Sequence, residues 1–483
     1  MKQVLVIGGG AAGMLAALSA AKAGSQVTLL EKNEKLGKKI YITGKGRCNV
    51  TNACSFDEFL QQVTVNQRFL YSALRRFFNT DLCALLEAGG CALKTERGDR
   101  VFPVSDHASD VTKALEKLLR QAGVRICLNT EVTGIRLRSA AQTHNAVKTT
   151  VGNAATDAEA EVDAASTSAC SKNNVNSNGQ RFGFLVETRH CGTPTRGSNR
   201  AAKAVHGQEQ ADAVIICTGG LSYPSTGSTG DGYRFAKAFG LPVTETYPSL
   251  VPLVLKETDA ATLQGLSLRN VELTVRSAGM GESLSAGSSS GSSRTEKPVF
   301  SAFGELLFTH FGISGPLILS ASPYLTERLA KGEQFLLSID LKPALSAEKL
   351  DERILREFAA QKNANLGNAV AKLLPSLLRP LILQRAGLSP EKKVHDITKA
   401  ERKRLIAVIK RLDFTAIGTR GFAEAVITKG GVSVSAINPR TMEAKQVPGL
   451  YFAGEVLDVD AMTGGFNLQI AFSTGAAAGQ SAG

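Results

Sequence analysis

At 483 residues the chain has room for two or three domains of roughly 150 residues each, which excludes a single small module. Hydrophobic residues at 43% and charged residues at 20% exclude a disordered or fibrous chain, and no apolar run reaches the about 18 residues that cross a bilayer. The formal net charge of +13 favours meeting anions: nucleic acid, a membrane surface or phosphate-bearing cofactors.

The opening MKQVLVIGGGAAGMLAALSAAKAGSQVTLLEKN reads as one βαβ unit. Val4 to Ile7 is a short apolar strand, Ala11 to Lys22 an alanine-rich helix stopped by Gly24, and Val27 to Leu30 a second strand. A parallel pair of strands requires that crossover helix. The apolar start resembles a signal peptide only superficially, because Gly8, Gly9, Gly10 and Gly13 interrupt it with a spacing that has its own explanation.

A helix is predicted over Asp110 to Gln121, then strands over Val124 to Leu128 and Thr130 to Leu137. From 139 to 180 and from 196 to 210 the chain is small and polar with no apolar period, so both stretches are expected to be disordered surface insertions. Between them Arg181 to Thr188 reads as a strand, and ADAVIICTGG (Ala211 to Gly220) as a strand running into glycines. Residues 250–413 are expected to form an inserted domain, β-rich first by VPLVL, VELTV, GELLF and FLLSIDL and helical after, with a Gly/Ser-rich loop at 279–293. On this reading residues 1–249 and 414–483 are two parts of one discontinuous domain. Lys399 to Arg411 sets basic pairs against apolar residues at helical spacing, which reads first as a solvated helix face and second as an RNA or membrane contact.

The chemistry is carried by glycines. Gly8, Gly10 and Gly13 form GxGxxG between strand and helix, and Glu31 ends the second strand 18 positions after Gly13. The first glycine permits the tight turn, the second lets backbone approach a pyrophosphate, the third lets helix pack on strand, and the carboxylate accepts hydrogen bonds from ribose hydroxyls. The helix N-terminus adds free N–H groups and roughly half a positive charge. This is a Rossmann-type α/β fold holding a dinucleotide. Three further features favour FAD over NAD. ICTGG (Ile216 to Gly220) brings a buried strand back to a glycine turn. GKKIYITGKGRCNVTN (Gly37 to Asn52) is a polar loop whose Arg47 and Asn49 are suited to clamp a diphosphate or ring. Pro448 to Gly479 holds a strand ending in Gly454 and Glu455, then Gly464 and Gly465 opening a small-residue helix whose N-terminus can favour an anionic reduced flavin.

GGGAAG, TGKGRCNVTN, GGLSYPSTGSTGDGY, LFTHFGISGP, TKGGVS and AGEVLDVDAMTGGFNLQIA together resemble a bacterial FAD-binding family. That family includes aminoacetone oxidase and the flavoprotein encoded with bile-acid dehydroxylation genes, and is usually labelled NAD(P)/FAD-dependent oxidoreductase. The resemblance spans nearly all of the chain outside the low-complexity stretches. It implies an FAD domain interrupted by a β-plus-helical domain. It also implies that Gly8, Gly10, Ala12, Gly13, Glu31, Lys32, Gly44, Arg47, Asn49, Thr51, Asn52, Val132, Thr218, Gly219, Gly454, Glu455, Gly465, Asn467, Leu468 and Gln469 lie near FAD.

Absences narrow the reaction. No second GxGxxG follows a strand, so NAD(P)H, if used, docks transiently at the flavin as co-substrate. The eight cysteines include no CxxC, which argues against disulfide exchange and a metal site and fits reduced thiols in a cytoplasm. The expectation is an FAD-dependent oxidoreductase passing a hydride between a small organic substrate and flavin N5. NAD(P)H reduction leads; amine oxidation by oxygen and a tRNA-interacting flavoprotein stay open. The expected partner is a small molecule, with nucleic acid less favoured and no membrane. His310 and Tyr223 are the candidates for catalysis, each weighed against a packed structural role, and Cys48 reads as a small packing residue.

Overall fold

Val4, Leu5, Val6 and Ile7 are all buried, and the strand they build, β1 (Gln3–Ile7), lies at the centre of the sheet that organises the chain. The structure, a computed structural model, describes residues 1–138, 183–190, 204–278 and 297–483. Two units are formed, one of Met1–Glu245 with Gly430–Gly483 and one of Thr246–Lys429.

In the first unit β1 leads into α1 (Ala11–Lys22) and β2 (Gln26–Leu30), within one residue of the boundaries expected. The alanines of α1 cost little side-chain entropy, and nine of its twelve residues are buried. Next come α2 (Phe56–Gln61), β3 (Val63–Val65), α3 (Gln67–Arg76) and α4 (Ala108–Gln121). The strands β4 (Arg125–Cys127), β5 (Thr130–Arg138), β6 (Gly183–His190), β7 (Val205–Ala211) and β8 (Ala213–Ile216) follow, then α5 (Asp231–Ala238). An antiparallel ribbon joins β5, β6 and β7. The expected insertion at 196–210 is therefore corrected in part. Val205–Ala211 is a strand in register with Phe184 to His190, its backbone supplying the order that its polar side chains do not announce. The other expected insertions, 139–180 and 279–293, and residues 196–203 lie outside the described residues.

The second unit is a closed antiparallel barrel. Its strands are β9 (Leu253–Leu255), β10 (Ser267–Ser277), β11 (Phe300–Thr309), β12 (Gly312–Ser314), β13 (Phe335–Asp340) and β14 (Leu412–Thr419), in the order β9-β12-β11-β10-β13-β14. The helical stretch ending in α6 (Lys399–Lys410) falls between β13 and β14. The boundary expected at 413–414 is thus corrected, because β14 pairs with both β13 and β9 and closes the barrel.

The chain then returns to the first unit as β15 (Leu450–Phe452), β16 (Asp460–Ala461) and α7 (Phe466–Ala482). The central sheet is parallel throughout, in the order β15-β8-β1-β2-β4. α7 approaches α1 closely because a Cβ on Gly475 or Gly479 would come 2.2 Å from the carbonyl oxygen of Ala12 or Ala16. No helix among the described residues is long and apolar enough to cross a membrane.

Candidate functional site

The ends of β1, β2, β8 and β15 gather at the N-terminus of α1, and the end of β15 also meets α7, where Gly454 N–H donates to Thr474 Oγ1 at 3.0 Å. Gly8 has φ +100°, and a Cβ on Gly13 would lie 1.8 Å from Gly8 O, so neither position tolerates a side chain without rearrangement. Gly10 differs. Its backbone is extended, no side chain caps α1 there, and a Cβ would meet nothing within 4 Å. Open space therefore lies against a helix N-terminus with unsatisfied N–H groups.

Glu31 is 7% exposed. Its Oε2 accepts from Gly9 N–H at 2.7 Å, and its Oε1 accepts from the Asn33 backbone N–H at 2.8 Å and Nδ2 at 2.7 Å. These donors fix the carboxylate beside the glycine turn. Among the described residues several buried side-chain oxygens find no hydrogen-bond partner, and Asn49 Oδ1 and Thr218 Oγ1 are two of them. Both belong to residues singled out from the sequence, and a buried unpaired acceptor is costly unless a ligand satisfies it. The open cradle at Gly10, the anchored carboxylate and these two oxygens fit a bound dinucleotide.

Other predicted residues serve the protein itself. Arg47, expected to clamp the cofactor, donates to Asp106 Oδ1 from Nε at 2.9 Å and Nη2 at 2.6 Å, pairs with Glu96, and covers the Phe102 ring at 4.3 Å. Lys32 Nζ donates to Asp231 at 2.7 Å and Thr229 at 2.5 Å. Thr51 Oγ1 donates to Gln469 Oε1 at 2.7 Å, and Gln469 Nε2 donates to Ser473 Oγ at 3.0 Å and Phe77 O at 3.5 Å. Asn52 Nδ2 donates to Gly98 O at 3.0 Å and Gly464 O at 3.2 Å. Asn467 Nδ2 donates to Ala461 O at 2.7 Å. What these residues can offer a cofactor is backbone. Ala12 and Gly454 pack together, a Cβ on Gly454 lying 2.7 Å from Ala12 Cβ. Val132 is buried at a bulge in β5, and Leu468 is half-buried at the start of α7. Gly44 and Gly219 take positive φ, +57° and +71°, and Gly465 caps α7 at φ +99°.

Sequence reasoning missed a connection between three loops. Lys39 Nζ donates to Glu455 Oε2 at 2.5 Å and Ser222 Oγ at 2.6 Å, while Ser222 Oγ donates to Glu455 Oε1 at 2.5 Å. The loop after β2, the turn after β8 and the end of β15 are tied through one carboxylate. Tyr233, on α5, was also missed: its hydroxyl is buried with no partner among the described residues, and burial, then the charges of Glu455 and Asp458, push its pKa above the usual range. Only a lysine before a glycine-rich loop and a tyrosine after GDG could have hinted at them.

The two catalytic candidates fare differently. His310 lies on the exposed turn between β11 and β12 in the second unit, so the packed structural role is corrected. Tyr223 is half-buried with φ +50°, a conformation a non-glycine residue adopts at a cost, directly after the β8 turn. Cys48 is fully buried, and burial pushes its thiol up to about 12, in keeping with a packing role.

A parallel sheet with glycine turns at two helix N-termini and an anchored carboxylate after β2 defines a Rossmann-type dinucleotide-binding protein. The chain belongs to the HI0933-like Rossmann-domain family, whose model matches residues 2–190 and 161–481. It is 30% identical over 473 residues to a ribosomal RNA dihydrouridine synthase of Haemophilus influenzae, covering 97% of this chain and 96% of that protein. It is 29% identical over 476 residues to one of Escherichia coli, covering 99% and 96%. A 3-dehydro-bile acid delta(4,6)-reductase of Clostridium scindens is 27% identical over 489 residues, covering 100% and 99%, in keeping with the family resemblance drawn from the motifs.

Proposed function

We propose that this protein reduces a carbon–carbon double bond conjugated to a carbonyl, that the substrate is uridine in ribosomal RNA, and that NAD(P)H is the electron source. The observation that carries this reading is the near-full-length likeness to two ribosomal RNA dihydrouridine synthases and one delta(4,6)-reductase. The three names share one chemistry, since dihydrouridine is uridine with two hydrogens added across its ring double bond and a delta(4,6)-reductase acts on ring double bonds too. The net charge of +13 supports a polyanionic substrate.

FAD, when bound, would supply the hydride for one carbon of the double bond, with NAD(P)H as the two-electron source and the other carbon taking a proton from solvent. The chain's part is binding, orientation and electrostatics. The α1 N-terminus at Gly10 receives the diphosphate, Glu31 the ribose hydroxyls, and Asn49 and Thr218 satisfy their buried oxygens on the cofactor. The α7 N-terminus contributes positive potential that favours the electron-rich reduced ring. The Lys39–Glu455–Ser222 bridge holds the loops in one arrangement.

The test is to incubate FAD-loaded protein with NADPH or NADH and an unmodified ribosomal RNA transcript, then digest the RNA and weigh the uridines. A gain of two hydrogens at a uridine is the expected result. Nicotinamide oxidation with an unsaturated 3-keto steroid and none with RNA would replace uridine by a free small molecule, the reading that the bile-acid relative favours. Peroxide release on adding aminoacetone, without nicotinamide turnover, would make the protein an amine oxidase.

A further inference from the structure

Three arginines on α3 have no ion-pair partner among the described residues, and an exposed aromatic ring lies on the same helix. Arg68, Tyr71 and Arg75 fall at i, i+3 and i+7, one face of the helix, with Arg76 at its edge. The opposite face, Phe69, Leu70, Ala73 and Leu74, is buried in the core of the first unit. Tyr71 is 51% exposed. The Arg75 guanidinium lies 4.0 Å from the Phe56 ring centroid and 5.3 Å from that of Tyr71, and the two rings meet edge to face at 5.2 Å. Other arginines of the first unit pair with carboxylates, Arg47, Arg120, Arg125 and Arg189 among them. Those on α3 are left to solvent.

We infer that this face of α3 binds single-stranded RNA, arginines on phosphates and Tyr71 against a base. Guanidinium and aromatic groups side by side are what an unpaired, stacking polyanion requires. Two acids, Asp57 and Glu58, lie on the first turn of the neighbouring α2; neither forms an ion pair with Arg68, Arg75 or Arg76, and the three arginines outnumber them. The basic stretch first noticed in the sequence is a weaker candidate. In α6 Arg402 pairs with Asp351, Lys410 with Asp340 at 2.5 Å, and Arg404 donates to Ala386 O at 3.0 Å. The α3 face is also joined to the candidate site. Asn66, at its start, donates to Asp458 O at 2.6 Å and Thr64 to Asp460 O at 3.0 Å, and that stretch runs from Glu455 to Gly464.

This inference rests on RNA being the substrate, so its test carries two readouts. Binding of a short fluorescein-labelled single-stranded RNA to FAD-loaded full-length protein is followed by anisotropy over a salt series, and dihydrouridine is measured on the ribosomal transcript. Arg68→Gln with Arg75→Gln is expected to weaken binding about tenfold and to flatten the salt slope by about 1.4, two contacts at roughly 0.7 each. Tyr71→Leu is expected to weaken it about fivefold with the slope unchanged, and Tyr71→Phe to restore it. An unchanged flavin spectrum confirms that each variant is folded. Lys399→Gln with Lys403→Gln is the charge-matched control and is expected to bind as the parent does. Parental affinity in the α3 variants, or no affinity in the parent, overturns the α3 surface. A parent that binds RNA through α3 yet forms no dihydrouridine overturns the substrate reading and leaves the surface standing.

Discussion

Two helices of the first unit open on glycine turns, and the turns are built in opposite ways. At α1 the turn is bare: Gly10 faces open space, and no side chain caps the helix. At α7 the turn is stitched shut. A Cβ on Gly465 would lie 2.4 Å from Thr51 O, and Asn52, Asn467 and Gln469 all spend their side chains on protein partners around it. Neither helix N-terminus is capped by a side chain, but only the second turn is held in place by residues far away in sequence. A bare turn and a buttressed turn can therefore both read as glycine motifs.

The sharpest way to break this contrast is to add one methyl group at a time. Gly13→Ala is expected to be the most damaging, because its Cβ would lie 1.8 Å from Gly8 O. We expect a loss of about 3 kcal/mol or more in unfolding free energy and no retained flavin. Gly10→Ala is next. It should leave the denaturation midpoint close to the parent's, since its extended backbone suits alanine, while FAD affinity falls about tenfold as the methyl enters the space against the helix N-terminus. Normal loading of Gly10→Ala, measured by flavin fluorescence, would mean that the cofactor does not approach there. Gln469→Leu strips Thr51 Oγ1 of its acceptor, and should cost about 1–3 kcal/mol of stability by urea unfolding with little change in FAD affinity for the folded protein. The smallest effect is expected from Arg47→Gln, which should leave FAD affinity unaltered because the guanidinium is held by Asp106 and Glu96. A large drop in affinity would show that Arg47 leaves those acids for the cofactor.

The same contrast explains what was legible in the sequence. The β1–α1–β2 unit was readable because its period, its glycines and Glu31 are all local. The scaffold roles of Asn52, Asn467 and Gln469 were not, since they depend on Gly464, Ala461 and Thr51 being brought together by the fold. Lys39 and Ser222 were missed for the same reason, lying 416 and 233 positions from the carboxylate they share. In the second unit the apolar runs were recognised as strands. Barrel closure was not, because β14 follows a long helical stretch and pairs with β9 from the other end of the unit. Conversely, the charge of α6 was conspicuous in sequence but is largely spent on partners, whereas the three arginines of α3 drew no attention and stayed unpaired.

The measurement that bears most directly on the central claim is an anaerobic one in two stages. FAD-loaded protein is titrated with NADPH and NADH while the visible flavin band is followed, and an unmodified ribosomal RNA transcript is then added. The account predicts bleaching by one of the nicotinamides, followed by recovery of the band on adding RNA, with a dihydrouridine formed for each flavin reoxidised. A flavin that stays reduced in the presence of RNA and recovers only when oxygen is admitted would contradict it.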